Sequence, residues 1–458
     1  ATIMAKVRTK AKSTSLTTGP LKSHILRIAL PMSIGFFFNT MYNVVDSFYA
    51  GQISTEALAA LALSFPVFFI IIAVSEGVAR GASALVANAI GAKDTEKEAA
   101  LSSQLFSLGF FCAAGLTVVG LFAAEPLFRI LGASGDYLTL ATDYIHPLFW
   151  GAIFFLLNSM CNAVLLAHGD SKTFGKVLVT GFFLNLLLDP WFLYGGFGLP
   201  AMGIKGIAWA TVLIQVLGSV YMLMAVIRRG YLSACCASFF VPKLKVYGEI
   251  LKQGIPTSFN MMSVALGFFV TTFYLKYYGE EAVAAFGVGT RIEQLVLLPA
   301  IGLGSAIVSI VGQNNGAGEL GRVQECVRIC AKYGLYLITA ASLIMFILAG
   351  PLVSIFTDDE KVIQVGIEYV RIVAFVQWAY VMSFIYIGFL QAVKRPMYGF
   401  AEAVVRKIIL PLGVFYLVVR VLNFELTGFW WSMVAINIAV ALVTISYGRY
   451  VLKNKLGN

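Results

Sequence analysis

Shifted by 225 positions, the first half of this chain matches its second half without a gap over about 140 positions. Ile25 and Leu26 fall on Ile250 and Leu251, Pro31 on Pro256, and Ser33 on Ser258. Phe48-Tyr49 meets Phe273-Tyr274, and Glu56-Ala57 with Ala59-Ala60 meets Glu281-Ala282 with Ala284-Ala285. Gly91-Ala92 meets Gly316-Ala317, Pro126-Leu127 meets Pro351-Leu352, and Tyr144 meets Tyr369. Such a chain must fold into two related bodies. Both copies are strongly apolar, and duplicated hydrophobic halves are the mark of transporters that handle substrate between two lobes.

Hydrophobic residues make up 59% of the 458 and charged residues only 12%, too few charges to cover the surface of a water-soluble protein of this size. Apolar stretches fall at 25–50, 57–90, 101–124, 138–167, 173–198, 203–228, 250–276, 282–314, 325–350, 364–392, 397–422 and 427–452. Each is long enough to cross a bilayer. The expected fold is an all-α integral membrane protein: twelve transmembrane helices in two six-helix bundles. Six is even, so both copies enter from the same side and the repeat is parallel rather than inverted. The expected organisation is a tail at 1–24, an N-lobe at 25–228, a linker at 229–249, a C-lobe at 250–452 and a tail at 453–458.

Cations set the orientation. They cluster in the N-terminal tail (Lys6, Arg8, Lys10, Lys12), at Lys93 and Lys97, at Lys172 and Lys176, and at Arg228, Arg229, Lys243 and Lys245. They recur at Arg322, Arg328, Lys394, Arg395, Arg406 and Lys407, whereas alternate loops carry Asp136, Glu280, Glu281 and Asp358-Asp359-Glu360. The positive-inside rule then places both termini in the cytoplasm. The formal charge of +10 reflects this topology and anionic headgroups. No basic stretch is interleaved with aromatics, so a nucleic-acid partner is not expected. The cationic tail precedes a span too long for a cleavable signal. None of the six cysteines has a histidine near it in sequence, so a zinc site is not expected and reduced thiols are the default.

An ionised side chain at bilayer depth needs a reason to persist. Asp46 lies late in the first span and Asp189 within the fifth, where Asn185 precedes it by four residues and shares its face. Asn39 and Tyr42 precede Asp46 by seven and four residues. Thr211 follows Gly203-x-x-Gly206 in the sixth span, where small residues allow close helix contact. A carboxylate buried among such groups can load and release a proton. Two carboxylates with amide and hydroxyl oxygens can instead coordinate sodium, a hard cation. Helix capping or plain packing is the blander use of both. Across the shift Asp46 lands on Thr271, and Asn185 and Asp189 land on Leu410 and Val414, so the cluster occurs in one copy only. Glu76 and Arg80 are spaced to neutralise each other, and Arg291 with Glu293 and Glu402 with Arg406 admit the same reading or a place at an inner gate. His24, His146 and His168 fall near expected interfaces.

These residues resemble the multidrug and toxic compound extrusion (MATE) family. The likeness is carried by Pro31 with Asp46 fifteen residues on, Ala50-Gly51, and Asn185-x-x-x-Asp189-Pro190. The Gly203-x-x-Gly206-x-Ala208-x-Ala210-Thr211 run and Val311-Gly312-Gln313-Asn314-Asn315-Gly316-Ala317 extend it over residues 20–452. Acids in the seventh and tenth spans, usual in the NorM-like branch, are missing. Asn260, Gln377, Tyr380 and Ser383 stand there instead, so the chain looks like the DinF-like branch. That resemblance implies a cation-coupling site at Asp46, Asn185, Asp189 and Thr211, a substrate cavity with Asn39, Tyr42, Tyr144 and Asn162, and a first helix that bends at Pro31. It implies a bacterial inner-membrane antiporter that exports amphipathic, mostly cationic drug-like molecules in exchange for protons, with sodium as the alternative ion. Membrane lipid is the other expected partner, the chain is expected to act as a monomer, and no cofactor is expected. One departure is His168-Gly169-Asp170, where the family commonly has Arg before the glycine. A lipid or lipid-linked sugar flippase is the competing transport reading. A hydrolase using Asp46 and Asp189 has no need of two six-span lobes.

Overall fold

The computed structural model describes residues 15–130, 133–196, 198–232, 241–454 and 456, the side chain of Thr55 excepted. The tail cations Lys6, Arg8, Lys10 and Lys12 and the pair Cys235-Cys236 lie outside these residues. Among the described residues the chain is helical, and its only extended pairing is an isolated bridge between Gly196 and Leu199.

Among the described residues, nine unbroken helices are long and apolar enough to cross a membrane. Two further spans are bent: Gly135–Trp150 meets Ala152–Ala167 at 48°, and Glu360–Ala374 meets Gln377–Ala392 at 50°. The eleventh span is the continuous helical run 397–421, in which π-helical stretches Val405–Ile409 and Leu417–Val421 interrupt the α register. Each of the twelve apolar stretches therefore falls on a helical run, eleven of them long and apolar enough to cross a membrane when each bent pair is taken as one span.

Both bends have a local cause. The Thr117 hydroxyl donates to the Phe149 carbonyl at 2.8 Å, next to the turn at Gly151. In the other pair, Phe375 and Val376 donate three residues back, a tightening of the last turn, while the Gln377 amide reaches the Val373 carbonyl at 3.3 Å. Side chains thus supply partners where the backbone ladder stops. Gly151 and Val376 are 225 residues apart, so the repeat extends to the position of the bend.

Packing divides the chain into two compact units, one spanning Ile34–Ser258 and the other joining Leu16–Ser33 to Phe259–Asn458. The first helix, Leu21–Ile53, and the helix Leu244–Leu275 each start in one unit and end in the other. Both changeovers come two residues after a proline, Pro31 or Pro256, and they too are 225 residues apart.

Two glycines make the exchange possible. A Cβ on Gly77 would lie 2.5 Å from the Ser258 backbone, and one on Gly302 would lie 2.5 Å from the Ala29 carbonyl oxygen and 2.2 Å from Ser33 Oγ. Only a residue without a side chain lets the helices come so close. Gly77 and Gly302 are themselves related by the repeat.

Each incoming segment is also pinned by amides. In the second unit Gln313 accepts from the Leu16 amide at 3.1 Å, and Asn314 donates to the Leu16 carbonyl at 3.1 Å. Arg322 reaches the Gly19 carbonyl at 3.1 Å. In the first unit Gln104 donates to the Val241 carbonyl at 3.2 Å and accepts from the Lys243 amide at 2.7 Å. Leu16 and Val241 are again 225 apart. The Gln313-Asn314 motif therefore holds a helix entry.

Candidate functional site

Within the first unit, the late turns of the first helix carry Tyr42 and Asp46 on one buried stripe, four residues apart. The helix Lys172–Tyr194 offers Asn185 and Asp189 at the same spacing, both without exposed surface. Asn185 Nδ2 donates to Asp46 Oδ1 at 2.9 Å. The Tyr42 hydroxyl donates to Thr211 Oγ1 at 3.0 Å, which joins the helix Ile204–Arg228 to the cluster. That helix is set by the turn before it, where the Met202 amide donates back to the Phe192 carbonyl at 3.1 Å.

The Asp46 and Asp189 carboxyls are within direct electrostatic reach of each other, and buried Tyr144 faces both. Among the described residues neither Asp189 oxygen has a well-formed hydrogen bond, nor has Asn185 Oδ1 or Asn162 Oδ1. Asn162 is buried in the same unit. Around Asp46 and Asp189, oxygen acceptors therefore outnumber donors, an arrangement that favours an added proton or a small cation. Asn39 differs: it is exposed, and its backbone carbonyl accepts from the Asn43 side-chain amide at 3.0 Å. Pro31 lies inside the unbroken first helix.

The ion pairs sort differently. Glu76 and Arg80 do meet, at 3.6 Å, with Ser159 donating to the other Glu76 oxygen at 2.8 Å. Glu402 and Arg406 meet at 2.9 Å. Arg291 and Glu293 do not. Glu293 is buried and accepts from the Tyr369 hydroxyl at 2.5 Å and from Gln377 Nε2 at 3.0 Å, while Arg291 is exposed. Residues two apart on a helix point to different faces, which is why that pair fails. The second unit thus has its own buried carboxylate, bonded by the repeat counterpart of Tyr144. The signal was present in the sequence, as an acid in an apolar span together with the matched tyrosines.

At the loop after Ala152–Ala167, His168 stacks on Tyr231 with ring centroids 3.6 Å apart. Its Nδ1 lies 2.8 Å from the Val164 carbonyl and its Nε2 lies 3.1 Å from Glu98. Both neighbours are acceptors, so the ring makes both bonds when protonated on both nitrogens. Burial raises the Tyr231 hydroxyl above its ordinary range. Arg229 pairs with Asp170 beside it. His168 here has a tightly held structural place.

Comparison with known proteins fits this architecture. The MatE family model matches residues 31–191 and 256–417, one match in each repeat. The FAD transporter of Shewanella oneidensis is 28% identical over 401 residues, covering 87% of this chain and 88% of that protein. The multidrug export protein MepA of Staphylococcus aureus is 26% identical over 446 residues, 95% of each. Among solved structures, an outward-facing multidrug resistance MATE family transporter superposes with a TM-score of 0.90 at 27% identity, over 96% of this chain and 98% of that one. The matches run through both repeats and nearly the full length, and the chain belongs to the MatE family of multi-pass membrane transporters.

Proposed function

We propose that this protein is a secondary active exporter of amphipathic, mostly cationic organic molecules, driven by the inward movement of a cation through the first unit. The observation that carries the reading is the buried pair Asp46 and Asp189, held with Asn185, Tyr42 and Thr211. Two carboxyls side by side away from water repel when both are ionised, so the pair gains by taking up a proton. A sodium ion could be held by the same oxygens, and the proton is the ion we favour because amide and hydroxyl groups already occupy part of the shell. MepA, named a multidrug export protein, supports the substrate class. The distribution of cations supports a bacterial inner-membrane orientation with both termini in the cytoplasm.

Coupling requires that the loaded and unloaded clusters favour different shapes of the protein. Pro31 removes one backbone bond from the first helix, which therefore bends more easily there than elsewhere. Loss of charge at Asp46 loosens its hold on Asn185 and lets the outer part of that helix rearrange.

Dye efflux from everted vesicles tests the reading, energised either by a proton gradient or by sodium alone. Asp46→Asn and Asp189→Asn should each abolish energised efflux while the folded protein accumulates normally, since volume is nearly kept. Efflux near the wild-type rate in either variant would remove that residue from the coupling site. Efflux that follows sodium alone would replace the proton.

A further inference from the structure

The eleventh span holds a charge imbalance that the coupling site does not use. Glu402 is buried and pairs with Arg406 at 2.9 Å, while Arg406 also lies over the Tyr380 ring, 5.8 Å from its centroid. The next residue is Lys407. No ion pair or hydrogen bond joins its ammonium to any described residue.

Lys407 is half-buried, and the helix around it is irregular. The stretch Val405–Ile409 is π-helical, with the Leu410 amide donating to the Val405 carbonyl five residues back. This wider turn begins three residues after Glu402 and shifts the register of the residues that follow it. The opposite face is the exposed one, with Val405, Ile409, Leu412 and Tyr416 all well exposed. The Lys407 stem packs against the helix Leu244–Leu275, its Cβ 2.9 Å from where a Cβ on Gly267 would stand. Lys407 is the eleventh residue of the run 397–421, about 15 Å along it at the α-helical rise. That depth is near the middle of a hydrocarbon layer about 30 Å thick.

One buried carboxylate therefore serves two cations at the depth where an uncompensated charge is most costly. Such a charge is held at a cost unless an anion visits it. We propose that Glu402, Arg406 and Lys407 form a subsite in the second unit for an anionic group, a carboxylate or phosphate carried on an aromatic or apolar body. Tyr380 supplies a ring beside it. Cationic substrates would pass without using it, and zwitterionic or anionic ones would depend on it.

The test is equilibrium binding to purified protein in detergent, followed by fluorescence polarisation, with two dyes that share a xanthene body. Fluorescein carries the anionic group and rhodamine 123 the cationic one. Because no gradient is needed, the result stands apart from coupling at Asp46 and Asp189. Lys407→Met should weaken fluorescein by about tenfold or more, and rhodamine 123 should shift less than about twofold. Lys407→Arg should keep most of the fluorescein affinity. Glu402→Gln, which leaves two cations with no acid, should tighten it. Should Lys407→Met fail to fold, the Glu402→Gln and Lys407→Arg results decide. Absence of saturable fluorescein binding to the wild type, equal binding by Lys407→Met, or no gain in Glu402→Gln would overturn the subsite.

Discussion

Glu293 shows how much a single buried carboxylate depends on its donors. Its two oxygens take a hydroxyl and an amide, from Tyr369 and Gln377, on either side of the bend in the tenth span. Glu293→Gln keeps the shape but offers one oxygen acceptor in place of two, and replaces charge-assisted bonds with neutral ones. We expect a loss of about 1–3 kcal/mol of stability, read as a lower melting temperature in detergent, with Glu293→Ala lower still. A melting temperature equal to the wild type would show that these bonds contribute nothing. The sequence made Asp46, Asn185, Asp189 and Thr211 legible because each is a polar exception in an apolar span. Glu293 was harder to read, since a nearby arginine offered a false partner. By sequence Lys407 reads as one of the cations at the membrane edge, because sequence alone does not reveal a π-helical turn.

The helices were legible for a simple reason: an apolar stretch of bilayer length has few alternatives. What the pattern could not show was where helices come into backbone contact. Gly77 and Gly302 sit in spans that contain many small residues, and nothing local marks them out. Their meaning comes from Ser258 and from Ala29 with Ser33, more than 170 positions away in sequence. Gly302→Val should drive the start of the first helix off its neighbour, at about 1–3 kcal/mol, and Gly77→Val should act alike on the helix Leu244–Leu275. By contrast, Gly304→Ala, with no heavy atom within 4 Å of the added Cβ, should leave melting unchanged. Equal melting of all three variants would deny that the close contacts matter.

At the level of the whole molecule, the repeat governs more than the matched letters. The bends at Gly151 and Val376, the pinned segments at Leu16 and Val241, and the changeovers after Ser33 and Ser258 all keep the same offset. Only part of this was readable beforehand: the repeat gave the offset, whereas the exchange of helix starts needs tertiary contacts that no periodicity reports. Chemical labelling tests the orientation drawn from charge. A cysteine at position 243 should resist a membrane-impermeant maleimide added outside intact cells, and one at position 359 should react. The opposite pattern would invert the topology.

The exchanged helix starts also bear on the order in which the protein can be made. A ribosome releases Leu16–Ser33 long before Phe259 and the residues after it, yet these belong to one unit. The opening turns of the first helix must therefore wait in the bilayer without their lasting neighbours. The unit made first is not complete at the linker either, since it still lacks the residues up to Ser258. Synthesis in the cell thus passes through a stage in which both ends of the exchange are open to other helices, and a cut in the linker would divide the gene into halves without dividing the protein into its two folded units.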